Sequence, residues 1–214
     1  MWQDENGDGI LDDTEPRAFA DITWLVSIRP NPLTEIVTGP DLSCQARFAG
    51  DEDEAFSGGT PGRCGTVISV DGELYAPASL QFSDTRARSA CAAFTLVDGF
   101  PEPYTPVSQS PVTGRGTSSD PFRLVTVVCA GGPEPQNCGD TGTDPLVRHE
   151  VSYVDGDRFY RTDVTVLNRD DVAHEIGIYQ YGDCDLPRGD FGGFGFFDDS
   201  NDAAGCPRAV TPVR

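Results

Sequence analysis

The sequence predicts an all-β fold, an antiparallel β-sandwich of immunoglobulin-like or larger size with long disulfide-stapled loops. Short runs rich in Val, Ile, Phe and Tyr recur about every 8–12 residues, and clusters of Gly, Pro, Asn and Asp separate them, as in such sandwiches. The chain of 214 residues contains 24 Gly and 17 Pro, too many helix-breaking residues for a helical bundle. No periodic segment indicates a helix longer than about two turns.

In the first half of the chain, a tight hairpin is the strongest single element. The Asp71-Gly72 dipeptide separates two apolar runs, and Asp-Gly readily adopts the positive φ angles that a two-residue hairpin turn requires. Pro30-Asn31-Pro32 ends the first strand, because proline cannot donate to a sheet ladder. The predicted strands of this half are residues 19–29, 42–48, 64–70, 73–76, 79–83 and 90–97.

In the second half, residues 122–129 (FRLVTVVC) predict a buried strand. Asp155-Gly156-Asp157 then joins strands at 147–154 and 158–167 into a hairpin, and a last strand follows at 173–181. The hairpin offers four apolar side chains for packing: Tyr153, Phe159, Val164 and Val166.

Cysteine usage predicts disulfides and an oxidising, extracellular or cell-surface location. The seven cysteines form no CxxC pair and only two histidines are present, so a zinc site is poorly supported. Local loop closure favours three pairs, Cys44–Cys64, Cys129–Cys138 and Cys184–Cys206. Cys91 would then be a buried free thiol, and Cys91–Cys129 is the rival pairing, since sequence does not fix connectivity.

A calcium site is predicted at residues 4–15 (DENGDGILDDTE), which fit the pattern D-x-[DN]-x-[DN]-G-x5-E at every specified position. Calcium takes about six to eight oxygen ligands, and the pattern supplies them from one tight loop whose sharp bend requires Gly9. Ile10 offers its backbone carbonyl, Asp12 acts through water and Glu15 is bidentate. The predicted ligands of Ca²⁺ are Asp4, Asn6, Asp8, Ile10, Asp12 and Glu15.

This loop resembles those of EF-hands, dockerin modules and thrombospondin type 3 repeats. Only three residues precede Asp4, and Pro16 follows the last ligand directly, so a regulatory helix pair is not expected. We expect instead a lone loop that stiffens a linker or a domain edge. The predicted organisation is a calcium-binding loop or linker at 1–18 and a β-sandwich region at 19–214.

Residues 100–120 are rich in Pro, Ser, Thr and Gly without periodicity, and they are interpreted as a linker or a long ordered loop. The sandwich region could therefore be subdivided near 100–121. Residues 122–181 look like the β-sandwich modules of bacterial surface proteins, and 160–168 (YRTDVTVLN) is similar to their pattern of a strand followed by an Asn turn. The resemblance implies an architecture rather than an activity.

Charge excludes some partners. With 15 basic and 35 acidic residues the formal net charge is −20, so nucleic acid and anionic lipid are not expected as partners. All basic residues are arginine, which excludes a Schiff-base lysine and the lysine of a nucleotide-binding P-loop. No apolar run approaches the about 20 residues of a membrane helix, so membrane insertion is not expected.

Residues 182–206 form a Gly-rich segment that combines phenylalanines with acidic residues. It is interpreted either as a loop whose Phe side chains plug one end of the sandwich or as an aromatic ligand-binding tip. A second calcium site there has weak support, because the spacing lacks the Gly and Glu of the loop pattern. Its candidate ligands are Asp198, Asp199, Asn201 and Asp202.

An enzyme is not expected. His149-Glu150 and His174-Glu175 are not part of an HExxH motif, and no G-x-S-x-G sequence occurs. The expected function is a secreted, calcium-binding structural or interaction module of a bacterial cell-surface, adhesin or filament-forming protein. Calcium would rigidify its junction with neighbouring domains or subunits. The alternatives are a carbohydrate-binding module of a polysaccharide-degrading system and an extracellular hydrolase.

Overall fold

The computed structural model describes residues 25–29, 32–49, 55–56, 64–78, 101–131, 138–139 and 141–182, and two short strands at 196–198 and 203–205. Over these residues the regular structure is β-strand without α-helix, which confirms the all-β prediction. In chain order the strands are β1 (Val26–Ile28), β2 (Leu33–Thr38), β3 (Cys44–Phe48), β4 (Cys64–Val70), β5 (Glu73–Ala76), β6 (Glu102–Pro103), β7 (Thr105–Gln109), β8 (Phe122–Cys129), β9 (Leu146–Tyr153), β10 (Arg161–Leu167), β11 (Ile176–Gly182), β12 (Phe196–Asp198) and β13 (Ala203–Gly205).

The strands form four sheets. One has the order β10-β9-β8-β7 and is antiparallel throughout. A second has the order β11-β4-β5-β6, in which only the short β6 joins in parallel. The third is β1-β2-β3 and the fourth is the β12-β13 pair. An isolated bridge between Ser43 and Gly65 connects the third sheet to β4.

The β10-β9-β8-β7 sheet packs over both the β11-β4-β5-β6 sheet and the β1-β2-β3 sheet, which makes a sandwich. Its inward side chains alternate with outward ones along β8 and β9, as expected for a sheet with one buried face. The first apolar cluster contains Leu42, Ile68, Tyr75, Tyr104, Val128, Ala130 and Val147. The second contains Ile28, Leu33, Ile36, Leu124, Val151 and Tyr153.

A row of buried polar side chains lies on the inner face of the same sheet, between these two clusters. Thr126 and His149 face each other on β8 and β9, and Gln109 is opposite Thr126 on β7. The Gln109 amide nitrogen donates to the Thr126 hydroxyl and to the Thr38 carbonyl, at 3.0 Å each. The Gln109 amide thus joins Thr126 to the backbone of β2 across the sandwich, and a slip of the strands would break both of its hydrogen bonds.

Tyr104 lies where the chain changes sheets. The residues before it form β6 in one sheet and those after it form β7 in the other. Its ring is buried in the first apolar cluster, and its hydroxyl donates to the Thr66 carbonyl at 3.2 Å. Residues 101–109 are therefore ordered and contain a strand, whereas composition indicated only a linker or an ordered loop there.

Two of the predicted disulfides are confirmed. Cys44–Cys64 joins the beginnings of β3 and β4 with a Cα–Cα distance of 4.9 Å, and Cys129–Cys138 closes a loop after β8 at 5.6 Å. Both distances lie in the usual range for disulfides. Cys91, Cys184 and Cys206 lie outside the described residues. The two bridges suggest an oxidising environment.

The predicted hairpin is confirmed at β4 and β5, and its turn has positive φ at both Asp71 (51°) and Gly72 (87°). The sequence did not predict β2. It also placed Phe159 among the packing residues, whereas Phe159 is 69% exposed and the next residue, Tyr160, packs against the core instead. The predicted strands at 79–83 and 90–97 lie outside the described residues.

Candidate functional site

The predicted calcium loop at residues 4–15 lies outside the described part of the chain. Asp4, Asn6, Asp8, Ile10, Asp12 and Glu15 lie outside the described residues, as do Asp199, Asn201 and Asp202 of the second candidate site. In the described part of the chain, a different feature stands out, the edge strand β11.

Among the described strands, β11 forms one edge of the β11-β4-β5-β6 sheet, and its own sequence carries none of the usual edge protections. It runs for seven residues, IGIYQYG, without a charged residue, a proline or a shift in register against β4. Ile178 is 51% exposed and Tyr179 52% exposed. Free sheet edges of this kind present unpaired backbone N–H and C=O groups that attract another strand.

The other edge strands in the described residues each carry a feature that blocks pairing. Strands β1, β12 and β13 have three residues each and β6 has two. Strand β3 carries Arg47, and its Ala46 carbonyl already accepts from the Ala55 backbone N–H at 2.8 Å. Strand β7 contains Pro106 and a register irregularity between Pro106 and Ser108. Strand β10 carries Arg161 and Asp163. Short length, proline, bulges and charge are the usual protections of sheet edges, and β11 shows none of them.

The beginning of β11 is clamped to the hairpin turn of the same sheet. The His174 ring lies between two carboxylates, with Nδ1 2.6 Å from Asp71 and Nε2 3.0 Å from Asp170. The second carboxylate oxygen of Asp71 accepts from the Glu175 backbone N–H at 2.8 Å, and the Asp71 N–H donates to the Glu175 carbonyl at 2.9 Å. These contacts hold the β10–β11 connection against the turn and so fix the register of β11.

The stability contributed by this clamp, which consists of His174 with Asp71 and Asp170, depends on pH in a defined direction. Hydrogen bonds to Asp71 and then Asp170 raise the pKa of His174, and the same bonds lower the pKa of both carboxyl groups. A raised histidine pKa adds stability below about pH 6.5 that is lost as pH rises through the folded value, and lowered Asp pKa values add stability above about pH 4. The clamp is therefore tightest in mildly acidic solution.

Gln180 and Tyr179 occupy the two faces of β11. The Gln180 amide oxygen accepts from the Thr66 hydroxyl at 3.0 Å, and its amide nitrogen lies 3.8 Å from the sulfur of Cys44 and 3.9 Å from that of Cys64. On the opposite face the Tyr179 ring folds over Gly177, where a Cβ would lie 2.9 Å from the tyrosine oxygen. The edge is thus anchored on one face and carries a flat aromatic surface on the other.

The two histidines differ sharply. His149 is almost fully buried on β9, its Nδ1 has no hydrogen-bond partner, and desolvation lowers its pKa to about 4. It is neutral near pH 7 and belongs to the interior. His174 sits at the surface in an ion-pair network. The sequence showed both as His-Glu dipeptides and did not distinguish them.

One group of metal-ligand residue types comes together in the described part of the chain, namely Cys129, Cys138 and Asp144. The two cysteines are joined in a disulfide, so neither offers the thiolate that metals bind. Burial raises the pKa of Asp144, and a Cβ at Gly131 would collide with its carboxylate. This cluster is a packed loop junction and does not support a metal site.

Comparison of the chain with protein-family models, curated proteins and solved structures finds no match. Within the described residues, no helix is long and apolar enough to cross a membrane. The β11 edge could have been noticed in the sequence as a seven-residue run without charge in a chain that is 23% charged. Its position at a sheet edge depends on its pairing with the distant β4, which no local pattern indicates.

Proposed function

We propose that this chain is a structural interaction module of an extracellular, cell-surface assembly and that it joins a second copy of itself through β11. The observation that carries the proposal is that β11, alone among the edge strands of the described residues, has no proline, charge, bulge or short length to block pairing. The two buried disulfides support an extracellular location, because such bonds persist in oxidising compartments. Strand addition at a free edge is a common mode of protein–protein recognition.

The chemistry of β11 favours a second copy as its partner. Two chains of charge −20 repel each other, which favours contact through a strand without acidic residues, and none of the seven residues of β11 is acidic. Antiparallel pairing of β11 with β11 of another copy would give one sheet with four strands from each. It would also cover Ile176 and Ile178, which are 37% and 51% exposed.

Placing a positive charge on the edge tests this pairing. We expect the Ile178→Arg protein to remain monomeric where the parent chain forms dimers, because a charge on a strand edge blocks pairing. The side chain is half exposed, so the monomer is expected to stay folded. Sedimentation velocity across a range of protein concentrations measures the change, and electron microscopy shows whether filaments form.

Leu167→Arg is the matched control, since Leu167 is also exposed and lies at the end of β10, a strand that already carries charge. It should assemble like the parent chain. A parent chain that stays monomeric at every concentration, or equal assembly in Ile178→Arg, contradicts the proposal.

We further propose that residues 4–15 bind calcium and rigidify the N-terminal junction of the module. Support comes from the full match of the loop pattern. Calcium at a hundred times its dissociation constant would add about 2.7 kcal/mol if it binds only the folded protein. For a chain of this size that corresponds to a rise in Tm of roughly 5–10 °C.

A thermal melt with calcium and with chelator measures this effect. Asp8→Ala should abolish the rise, whereas Asp53→Ala, an acidic residue outside the loop, should keep it. An identical Tm with and without calcium in the parent chain argues against a role of the loop in stabilising the fold.

A further inference from the structure

The outer face of the β10-β9-β8-β7 sheet carries a polar groove next to an exposed aromatic ring. The groove has a volume of about 350 Å³, which lies at the lower end of the range for small-ligand sites. The groove lies on and beside strands β8, β9 and β10, away from the β7 edge, and no residue of β11 lines it. Its lining includes Arg123, Ser152, Asp157, Phe159, Arg161 and Asp163.

The strand register brings the polar side chains of the groove together. Ser152 on β9 is opposite Arg161 on β10 and opposite Arg123 on β8. Ser152 therefore lies between Arg123 and Arg161 on the outer face of three adjacent strands. Asp163 follows on the same face of β10, because side chains two residues apart share a face of a strand.

Each arginine is held in place by a carboxylate. The Arg123 guanidinium pairs with Glu150, and the Arg161 guanidinium donates through Nε at 2.9 Å and Nη2 at 2.5 Å to Asp163. These pairs use only part of each guanidinium, which has five N–H donors. The remaining donors, together with the free carboxylate lone pairs and the Ser152 hydroxyl, give the groove fixed donors and acceptors in close proximity.

Phe159 provides an apolar surface at the side of the groove. Phe159 is 69% exposed, while the adjacent Tyr160 packs against the second apolar cluster and anchors the backbone. The turn before it is also held, because the Tyr153 hydroxyl donates to the Asp157 carbonyl at 2.7 Å and the Asp155 N–H donates to the Gly116 carbonyl at 2.8 Å. The aromatic ring therefore projects from a fixed backbone.

We infer that this groove binds a neutral saccharide. Sugar hydroxyls both donate and accept hydrogen bonds, which matches a lining with two guanidinium groups, two carboxylates and a hydroxyl. The C–H face of a pyranose ring is apolar and suits the exposed face of Phe159. An anionic ligand is disfavoured, because both arginines already have carboxylate partners and the chain carries a charge of −20.

Isothermal titration of the full chain with neutral hexasaccharides of β-1,4-glucose, β-1,4-mannose, β-1,4-xylose and α-1,4-glucose tests the inference, with an oligomer of uronic acid as the charged comparison. At least one neutral hexasaccharide is expected to bind. Phe159→Ala should weaken that binding about tenfold or more, through loss of the aromatic contact. Arg161→Gln should weaken it as well, by removing one guanidinium group.

Val172→Ala is the matched control, because Val172 is exposed to a similar degree but lies in the β10–β11 connection. It should bind like the parent chain. Ile178→Arg should also bind normally, since the groove does not include β11, and this separates the saccharide site from the assembly edge. Absence of binding to every neutral hexasaccharide, binding of the uronic acid oligomer alone, or equal binding by Phe159→Ala would overturn the inference.

Discussion

Replacing Cys44 and Cys64 together by alanine is expected to lower the free energy of unfolding by about 3–5 kcal/mol. The bridge closes a loop with a sequence separation of 20, for which the loss of chain entropy in the unfolded state alone gives about 3 kcal/mol. The loss in free energy of unfolding should exceed this figure, because the bridge and the adjacent Ser43–Gly65 pair connect the β1-β2-β3 sheet to β4. Small cavities at two buried sulfurs contribute as well.

Urea denaturation of the oxidised proteins measures this loss. The double replacement of Cys129 and Cys138 is the matched control, since that bridge closes a loop with a separation of 9 and holds a loop after β8 rather than two sheets. Chain entropy gives about 2.5 kcal/mol for it. A larger loss for Cys129–Cys138 than for Cys44–Cys64 would show that the link between the two sheets adds nothing beyond loop closure.

Acidification is expected to destabilise the protein partly through His149, and His149→Leu should remove that part. The folded pKa of about 4 lies below the usual value of 6.5, so between these two pH values the unfolded chain binds a proton that the folded chain does not. The stabilisation from keeping His149 neutral is complete above about pH 6.5. Below that pH it falls by about 1.4 kcal/mol per pH unit, so about 3 kcal/mol has been lost near pH 4.

The difference between parent and His149→Leu free energies of unfolding, measured at pH 7, 5.5 and 4, isolates this group from the carboxylates. At pH 7 the variant should be about as stable as the parent, because the substitution also removes an unpaired buried nitrogen. His174→Gln is the control with the opposite sign, since the pKa of His174 is raised and its contribution is lost towards alkaline pH. Parallel pH profiles for parent and His149→Leu would contradict the burial of a neutral imidazole.

The parts of this fold that the sequence predicted are those set by neighbouring residues. Asp71-Gly72 determines its own hairpin, and Cys44–Cys64 and Cys129–Cys138 follow from local loop closure. The parts that the sequence missed depend on distant partners. The pairing of β11 with β4 and the change of sheets at Tyr104 bring together segments that are far apart in sequence. No local sequence pattern in either segment indicates its partner.

The candidate sites show the same division. Phe159 and Tyr160 are adjacent aromatic residues, and only the packing of Tyr160 against a distant cluster shows which of them faces outward. Arg123, Ser152 and Arg161 become neighbours only through the register of three strands. The calcium loop, by contrast, is a local pattern that can be read from sequence, and it remains a prediction.

The late position of β11 in the chain has a consequence for how copies of the protein come together. Thr66 and Gln180, which are hydrogen-bonded to each other, are 114 residues apart in sequence. During synthesis β4 and β5 therefore emerge long before β11, and the side of β4 that will receive it stays open in the meantime. Closing so long a loop is slow compared with forming a hairpin. Two nascent copies at high local concentration would then be able to exchange this strand, each β11 completing the sheet of the other. In such a dimer each sheet would contain a strand of the other chain. Dissociation would therefore require partial unfolding of both chains.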